Sequence, residues 1–234
     1  MKIKLNEIHL YHFSFNETDV LPDYASILPL HEIQRGERFI RETDRKRFYT
    51  CYSFLRKILG DYLNIFPQDI QLEKNDYGKP FIKKSQNPNN IQFNLSHSKN
   101  NLFFGFCLNN NIGVDIEETD RSINVNDLAK QIFSESDLKS FMQLSDENKL
   151  IGFFNAWTCK EAFIKAIGMG MHFPLKNFSV SFTPNQATQL LDIQDERYHK
   201  KDWALKQFNI TDTVIAAVAI DNVNVVYIPN AIEL

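Results

Sequence analysis

Twice along this chain a strand-like segment is followed by helix-like segments and then by several short strand-like ones. In the first round, residues 7–15 (EIHLYHFSF) alternate apolar with polar or ambivalent side chains, as a strand does. Residues 31–63 lack proline and carry Leu55, Ile58, Leu59 and Tyr62 at helical spacing. They predict one or two helices, weakened near the end by Gly60 and broken near Pro67. Short strands are expected within 70–82 around a turn at Asn75-Asp76-Tyr77-Gly78, then over 91–95, 102–108 and 112–117. The second round predicts helices over roughly 125–168 and strands near 178–182, 203–209, 213–220 and 223–228. Residues 214–219 (VIAAVA) are apolar almost throughout and read as a buried strand. The expected fold is therefore α+β, in two similar halves, residues 1–110 and 111–234. No low-complexity linker separates them, so they should pack together. No repeat of individual residues accompanies the repeat of elements.

Bulk properties narrow the function. The 234 residues include 20 phenylalanines, enough for a sizeable core without disulfides or metals. The formal net charge of −3 gives no ground for nucleic-acid binding, so an anionic ligand must be held by a local basic cluster. Cys51, Cys107 and Cys159 form no CxxC pair, which argues against zinc and for idle thiols in a reducing compartment. The N-terminal MKIKLNEIHLYHF lacks the apolar core and cleavage site of a secretory leader. No run approaches the roughly 20 apolar residues that cross a membrane. A cytoplasmic protein is expected.

Four segments carry chemistry. In Gly113-Val114-Asp115-Ile116-Glu117, a strand puts Asp115 and Glu117 on one face. Side by side they are either solvated acids at a strand edge or ligands of a hard cation such as Mg²⁺. In FFNAWTCKEAFIKAIG (153–168), Glu161 and Lys165 share a face of an apolar helix, with Lys160 beside it. They form an i,i+4 ion pair, or Glu161 completes the metal site and the lysines neutralise phosphate. Asn94, Ser96 and His97 fall at or just past a strand end, either capping a turn or meeting a phosphate. No G-x-S-x-G surrounds them, which discounts a serine hydrolase. Arg38, Arg41 and Arg45 share a stripe if their helix is continuous, and Gly78-Lys79-Pro80-Phe81 is a turn with a rigid exit. No Walker A or G-x-G-x-x-G loop is present.

In order, Gly78-Lys79-Pro80, Phe93-Asn94-Leu95-Ser96-His97-Ser98, Gly113-Val114-Asp115-Ile116-Glu117 and Trp157-Thr158-Cys159-Lys160-Glu161-Ala162-Phe163-Ile164-Lys165 resemble the surfactin-synthetase-activating type of 4′-phosphopantetheinyl transferase. The resemblance spans residues 41–168. It implies two α+β halves related by a pseudo-twofold axis, with coenzyme A in the cleft between them and an apo acyl or peptidyl carrier protein as partner, on a monomer. By position, Asp115, Glu117 and Glu161 would hold Mg²⁺, and Glu161 and Lys165 would carry catalysis. Ser96 and His97 would contact coenzyme A, His97 at a phosphate, with Lys160 and Lys165 at the diphosphate. Gly78, Lys79 and Pro80 would line the adenine pocket, and Arg47, with Arg41 as a looser candidate, would meet the 3′-phosphate. Phe133-Ser134 with Asp137 matches another family motif, but the same residues read as a helix cap. A metal-dependent phosphohydrolase and a non-catalytic coenzyme A-binding protein are the competing readings.

Overall fold

The computed structural model describes residues 1–16, 23–119, 122–184 and 186–231. The first round of elements is β1 (Glu7–Ser14), α1 (Tyr24–Ile27), α2 (Leu30–Gly36), α3 (Glu42–Leu63), β2 (Leu72–Lys74), β3 (Pro80–Ile82), β4 (Ile91–Ser98) and β5 (Asn101–Leu108). The second is β6 (Ile112–Glu118), α4 (Val125–Ile132), α5 (Glu135–Met142), α6 (Asp146–Ile167), β7 (Phe178–Val180), β8 (Leu190–Ile193), β9 (Ala204–Asn209) and β10 (Val214–Ile220). A last strand, β11 (Val226–Ala231), follows.

Both rounds build the same sheet. Strand order is β1-β5-β4 in one and β6-β10-β9 in the other, all antiparallel, each with a two-stranded ribbon beside it (β2–β3, β7–β8). β11 breaks the parity. It returns to the first sheet and lies parallel to β1, with Glu7 opposite Val226.

The layers follow from which residues alternate. On β5, Leu102, Phe104 and Phe106 pack under α3 with Phe54, Leu55, Ile58 and Leu59. On β10, Ile215, Ala217 and Ala219 pack under α6 with Phe154, Ala162 and Phe163. The other faces of the two sheets meet each other through Ile8, Leu10, Phe103, Ile112, Val114, Ile116, Val214, Ala216 and Val218. A strand covered on both faces needs no polar side chain, which is why 214–219 is uninterrupted. Gly105 lies where the sheets come closest, since a Cβ there would meet Val114 Cγ1 at 2.6 Å.

Several expectations are corrected. β4 runs on to Ser98, so Ser96 and His97 are inside the strand and point to opposite faces. The helix expected over Arg38–Arg45 is interrupted: α2 ends at Gly36, Arg38 is in the connection, and Arg41 caps α3, so the arginines share no continuous stripe. Gly60 lies inside α3, which runs on to Leu63. It admits the backbone of Ile65, whose carbonyl would lie 2.9 Å from an added Cβ. β8 had no expectation, because LLDI is too short to show a period. Among the described residues no helix is long and apolar enough to cross a membrane.

Candidate active site

β4 and β6 belong to different sheets, and side chains join them where a backbone ladder would otherwise run. On the face of β4 opposite α3, Asn94, Ser96 and Ser98 recur at every second residue. Asn94 Oδ1 accepts from the Val114 amide (2.8 Å), Ser96 donates to Asp115 Oδ1 (2.8 Å) and Ser98 donates to Glu117 Oε2 (2.8 Å). Ser98 Oγ also accepts from the Glu118 amide (3.2 Å). The Val114 and Glu118 amides on this edge of β6 are thereby satisfied.

The face of β6 that bears Gly113, Asp115 and Glu117 lies against α6. Gly113 makes this approach possible: a Cβ there would stand 2.0 Å from Ala162 O and 2.3 Å from Ala166 N. The contact puts three α6 side chains beside the acids. Lys165 Nζ lies 2.6 Å from Asp115 Oδ1 and 2.9 Å from Ser96 Oγ. Trp157 Nε1 donates to Glu117 Oε1 (3.0 Å). Glu161 lies between them in charge terms. Burial, opposed by Lys165 and reinforced by Asp115 and Glu117, pushes its pKa up to about 7. Lys165 therefore pairs with Asp115 across the cleft instead of with Glu161 one turn back. Asp115 is 4% exposed, and burial raises its pKa despite Lys165. Its second oxygen, Oδ2, is buried with no hydrogen-bond partner.

A buried carboxylate oxygen without a partner is costly unless something binds it. The donors here are all oxygen, the set Mg²⁺ prefers. Among the described residues no three His, Cys, Asp or Glu side chains yet stand close enough together to form a cage.

On the other face of β4, His97 is exposed, and its pKa is lowered by partial dehydration, then by the nearby charges of Arg47 and Lys165. Arg47 donates to Asp44 (3.1 Å) and lines a cavity of about 430 Å³ with Phe15, Lys46, Lys99 and Asn100. Arg47 and Lys165 thus both stand near enough to His97 to act on its charge.

The Gly78 turn has a second duty. Gly78 takes φ +89°, and Asn75 Oδ1 accepts from the Tyr77 and Lys79 amides. Lys79 Nζ then donates to Ile112 O (2.9 Å) and Ala166 O (3.0 Å), and Asn75 Nδ2 donates to Gly168 O (2.7 Å). The turn clasps the end of α6, and burial brings the Lys79 pKa down to about 8. Lys79, Pro80 and Phe81 line a cavity of about 190 Å³ with Gln92, Asn111 and Gly168.

Lys160, expected beside a diphosphate, is placed elsewhere. It is fully buried on the far side of α6, against Asp137, Leu175 and Phe178. Ser134 is the N-cap of α5 and accepts from the Asp137 amide (3.1 Å), as the cap reading expects, while the Asp137 carboxylate turns to Lys160. Sequence reasoning missed Ser98 and the tie between Trp157 and Glu117. The signal was present: Asn94, Ser96 and Ser98 share the period of two of Asp115 and Glu117.

Comparison with known proteins covers both halves. Residues 111–219 match the model of the 4′-phosphopantetheinyl transferase superfamily, and residues 17–103 match that of the 4′-phosphopantetheinyl transferase N-terminal region. The 4′-phosphopantetheinyl transferase HetI of Nostoc sp. is 31% identical over 216 residues, 92% of this chain and 88% of that protein. The 4′-phosphopantetheinyl transferase gsp of Aneurinibacillus migulanus is 31% identical over 181 residues, 77% of this chain and 70% of that one. The 4′-phosphopantetheinyl transferase Sfp of Bacillus subtilis is 33% identical over 165 residues, 65% of this chain and 71% of that one.

Proposed function

This chain belongs to the 4′-phosphopantetheinyl transferase superfamily, and on that premise we propose that it transfers the phosphopantetheine arm of coenzyme A to a serine of an apo acyl or peptidyl carrier protein. The observation that carries the reading is the contact of α6 with β6, which sets Lys165 against Asp115, leaves Asp115 Oδ2 unpartnered and brings Glu161 within reach of the charges of Asp115 and Glu117.

In this reading the carrier serine oxygen attacks the β-phosphorus of coenzyme A. The bond from that phosphorus to the bridging oxygen breaks, and adenosine 3′,5′-bisphosphate leaves. Asp115, Glu117 and Glu161 are the residues that would hold Mg²⁺, whose charge would offset that of the diphosphate. Ser96, Ser98 and Trp157 keep the two strand acids in place, as partners of metal ligands do. Lys165 supplies a fixed positive charge where negative charge develops. Glu161, made more basic by burial, takes the serine proton. Arg47 and His97 bind the phosphates of coenzyme A. Lys79, Pro80 and Phe81 border the small cavity that would take the base.

The test is a mass spectrum of an apo carrier protein after incubation with the chain, coenzyme A and Mg²⁺. A phosphopantetheine-sized gain on the serine, lost with Asp115→Ala and with EDTA, supports the proposal. Free phosphopantetheine with an unmodified carrier replaces it with the phosphohydrolase reading.

A further inference from the structure

Lys160 is zero per cent exposed, and its ammonium is enclosed by protein groups. Its Nζ donates to Leu175 O (2.8 Å) and to Phe178 O, and stands 4.5 Å over the Phe178 ring. Asp137 Oδ2 lies 3.1 Å away without an aligned hydrogen bond, so that contact is ionic. A side chain so enclosed does not reach a ligand in the cleft.

The first half contains the same device. Arg56, also zero per cent exposed, donates to Glu32 through Nε (2.6 Å) and Nη2 (2.9 Å), and through Nη1 to Pro67 O (2.7 Å) and Ile70 O (2.9 Å). The positions agree in four ways. Each cation is the fifteenth residue of a 22-residue helix, α3 or α6. Each paired acid is the third residue of the short helix before it, α2 or α5. Each cation holds two carbonyls three residues apart in the segment after the helix. Each long helix ends at a left-handed residue, Asn64 or Gly168.

The residues that follow the cation differ. Glu161 and Lys165 face the acids of β6, whereas Lys57 and Asp61, at the matching places on α3, are exposed. The buried cation is common to both halves, and the cleft chemistry belongs to one. A phosphate ligand has no reason to recur in the half without that chemistry; a fastening for the long helix does.

We propose that Lys160 is a positioning residue for the transfer reaction. Its ammonium fastens α6 to Asp137 and to the segment containing Leu175 and Phe178, and so fixes where Glu161 and Lys165 stand, without touching substrate. This rests on the transferase reading above.

The test is a double-mutant cycle on the full chain, with coenzyme A and an apo acyl carrier protein. Lys160→Met, Asp137→Asn and the two together are measured for thermal midpoint, kcat and KM for coenzyme A. Each single change should lower the midpoint by about 10 °C, as loss of one partner of a buried pair does. Each should lower kcat about tenfold or more through misplacement of Glu161, with KM for coenzyme A within about twofold. The two together should recover part of both losses, since no buried charge is left alone. If the single variants do not fold, Lys160→Arg with Asp137→Glu rebuilds the first half's pair in the second. That protein should keep the wild-type midpoint and a kcat within about threefold. A folded protein of that kind without activity overturns the proposal. So does Lys160→Met with a wild-type midpoint and a KM for coenzyme A raised about tenfold, or Asp137→Asn indistinguishable from wild type. A wild-type chain that leaves the carrier unmodified counts against the transferase reading instead, and shows itself before any variant is made.

Discussion

A single methyl group at Gly113 should separate the two sides of the site. The Cβ of Gly113→Ala would stand 2.0 Å from Ala162 O, 2.3 Å from Ala166 N and 2.9 Å from Ala166 Cα, all backbone atoms of α6. None of them can rotate away, so the helix must retreat from β6 by about 1 Å or more to reach ordinary contact. Lys165 and Asp115, now 2.6 Å apart, would then lie beyond hydrogen-bond reach. Overpacking of this kind costs about 1–3 kcal/mol, a fall of roughly 2–12 °C in thermal midpoint for a chain of this size. Misplacement by about 1 Å costs about a hundredfold in rate. The assay is transfer to an apo carrier protein, resolved into kcat and KM for coenzyme A, beside a thermal melt. kcat should fall far more than stability explains at a temperature where the variant is folded. A Gly113→Ala protein with wild-type kcat and midpoint would refute the reasoning, because it would show that α6 and β6 tolerate separation.

Glu161→Gln should abolish turnover yet raise the thermal midpoint above pH 7 in EDTA. The folded chain keeps the Glu161 proton up to about pH 7, while the unfolded chain releases it near the ordinary 4.5, so stability falls as pH rises through that window. Ser98→Ala removes the hydroxyl shared by Glu117 and the Glu118 amide. It should weaken Mg²⁺ affinity, measured by titration, about 10–100-fold, with coenzyme A binding unchanged. Arg56→Met leaves Glu32 buried and unpaired and should cost about 3–5 kcal/mol in a denaturant melt. A loss under about 1 kcal/mol would mean that the pair is not closed in solution.

The order of strands and helices was legible because it rests on local periods, which neighbouring residues display. The two-sided burial of β10 was legible for the same reason, as an apolar run. What escaped depends on residues far apart. Whether Lys160 faces the cleft or the core turns on Asp137 and Phe178, and nothing in KEAFIK distinguishes a buried lysine from an exposed one. The match between Arg56 and Lys160 was hidden because the paired acids are Glu32 in one half and Asp137 in the other, and the carbonyl partners are backbone groups with no side-chain signature. Ser96 and His97 were placed past a strand end because Ser and His are weak strand formers. Bonds from Ser96 and Ser98 to β6 hold that segment extended against its propensity.

The return of β11 to β1 gives the polypeptide the form of a loop closed by a noncovalent latch. The first sheet gains its outer strand only once β11 has been made, so its final form waits on the pairing of Glu7 with Val226, far apart in the chain. The same latch makes the connection at 109–111 dispensable as a covalent tie. A chain supplied as two pieces divided there should reassemble on mixing, because β11, the Asn94–Ser98 side-chain seam and the Lys79 clasp each cross the cut.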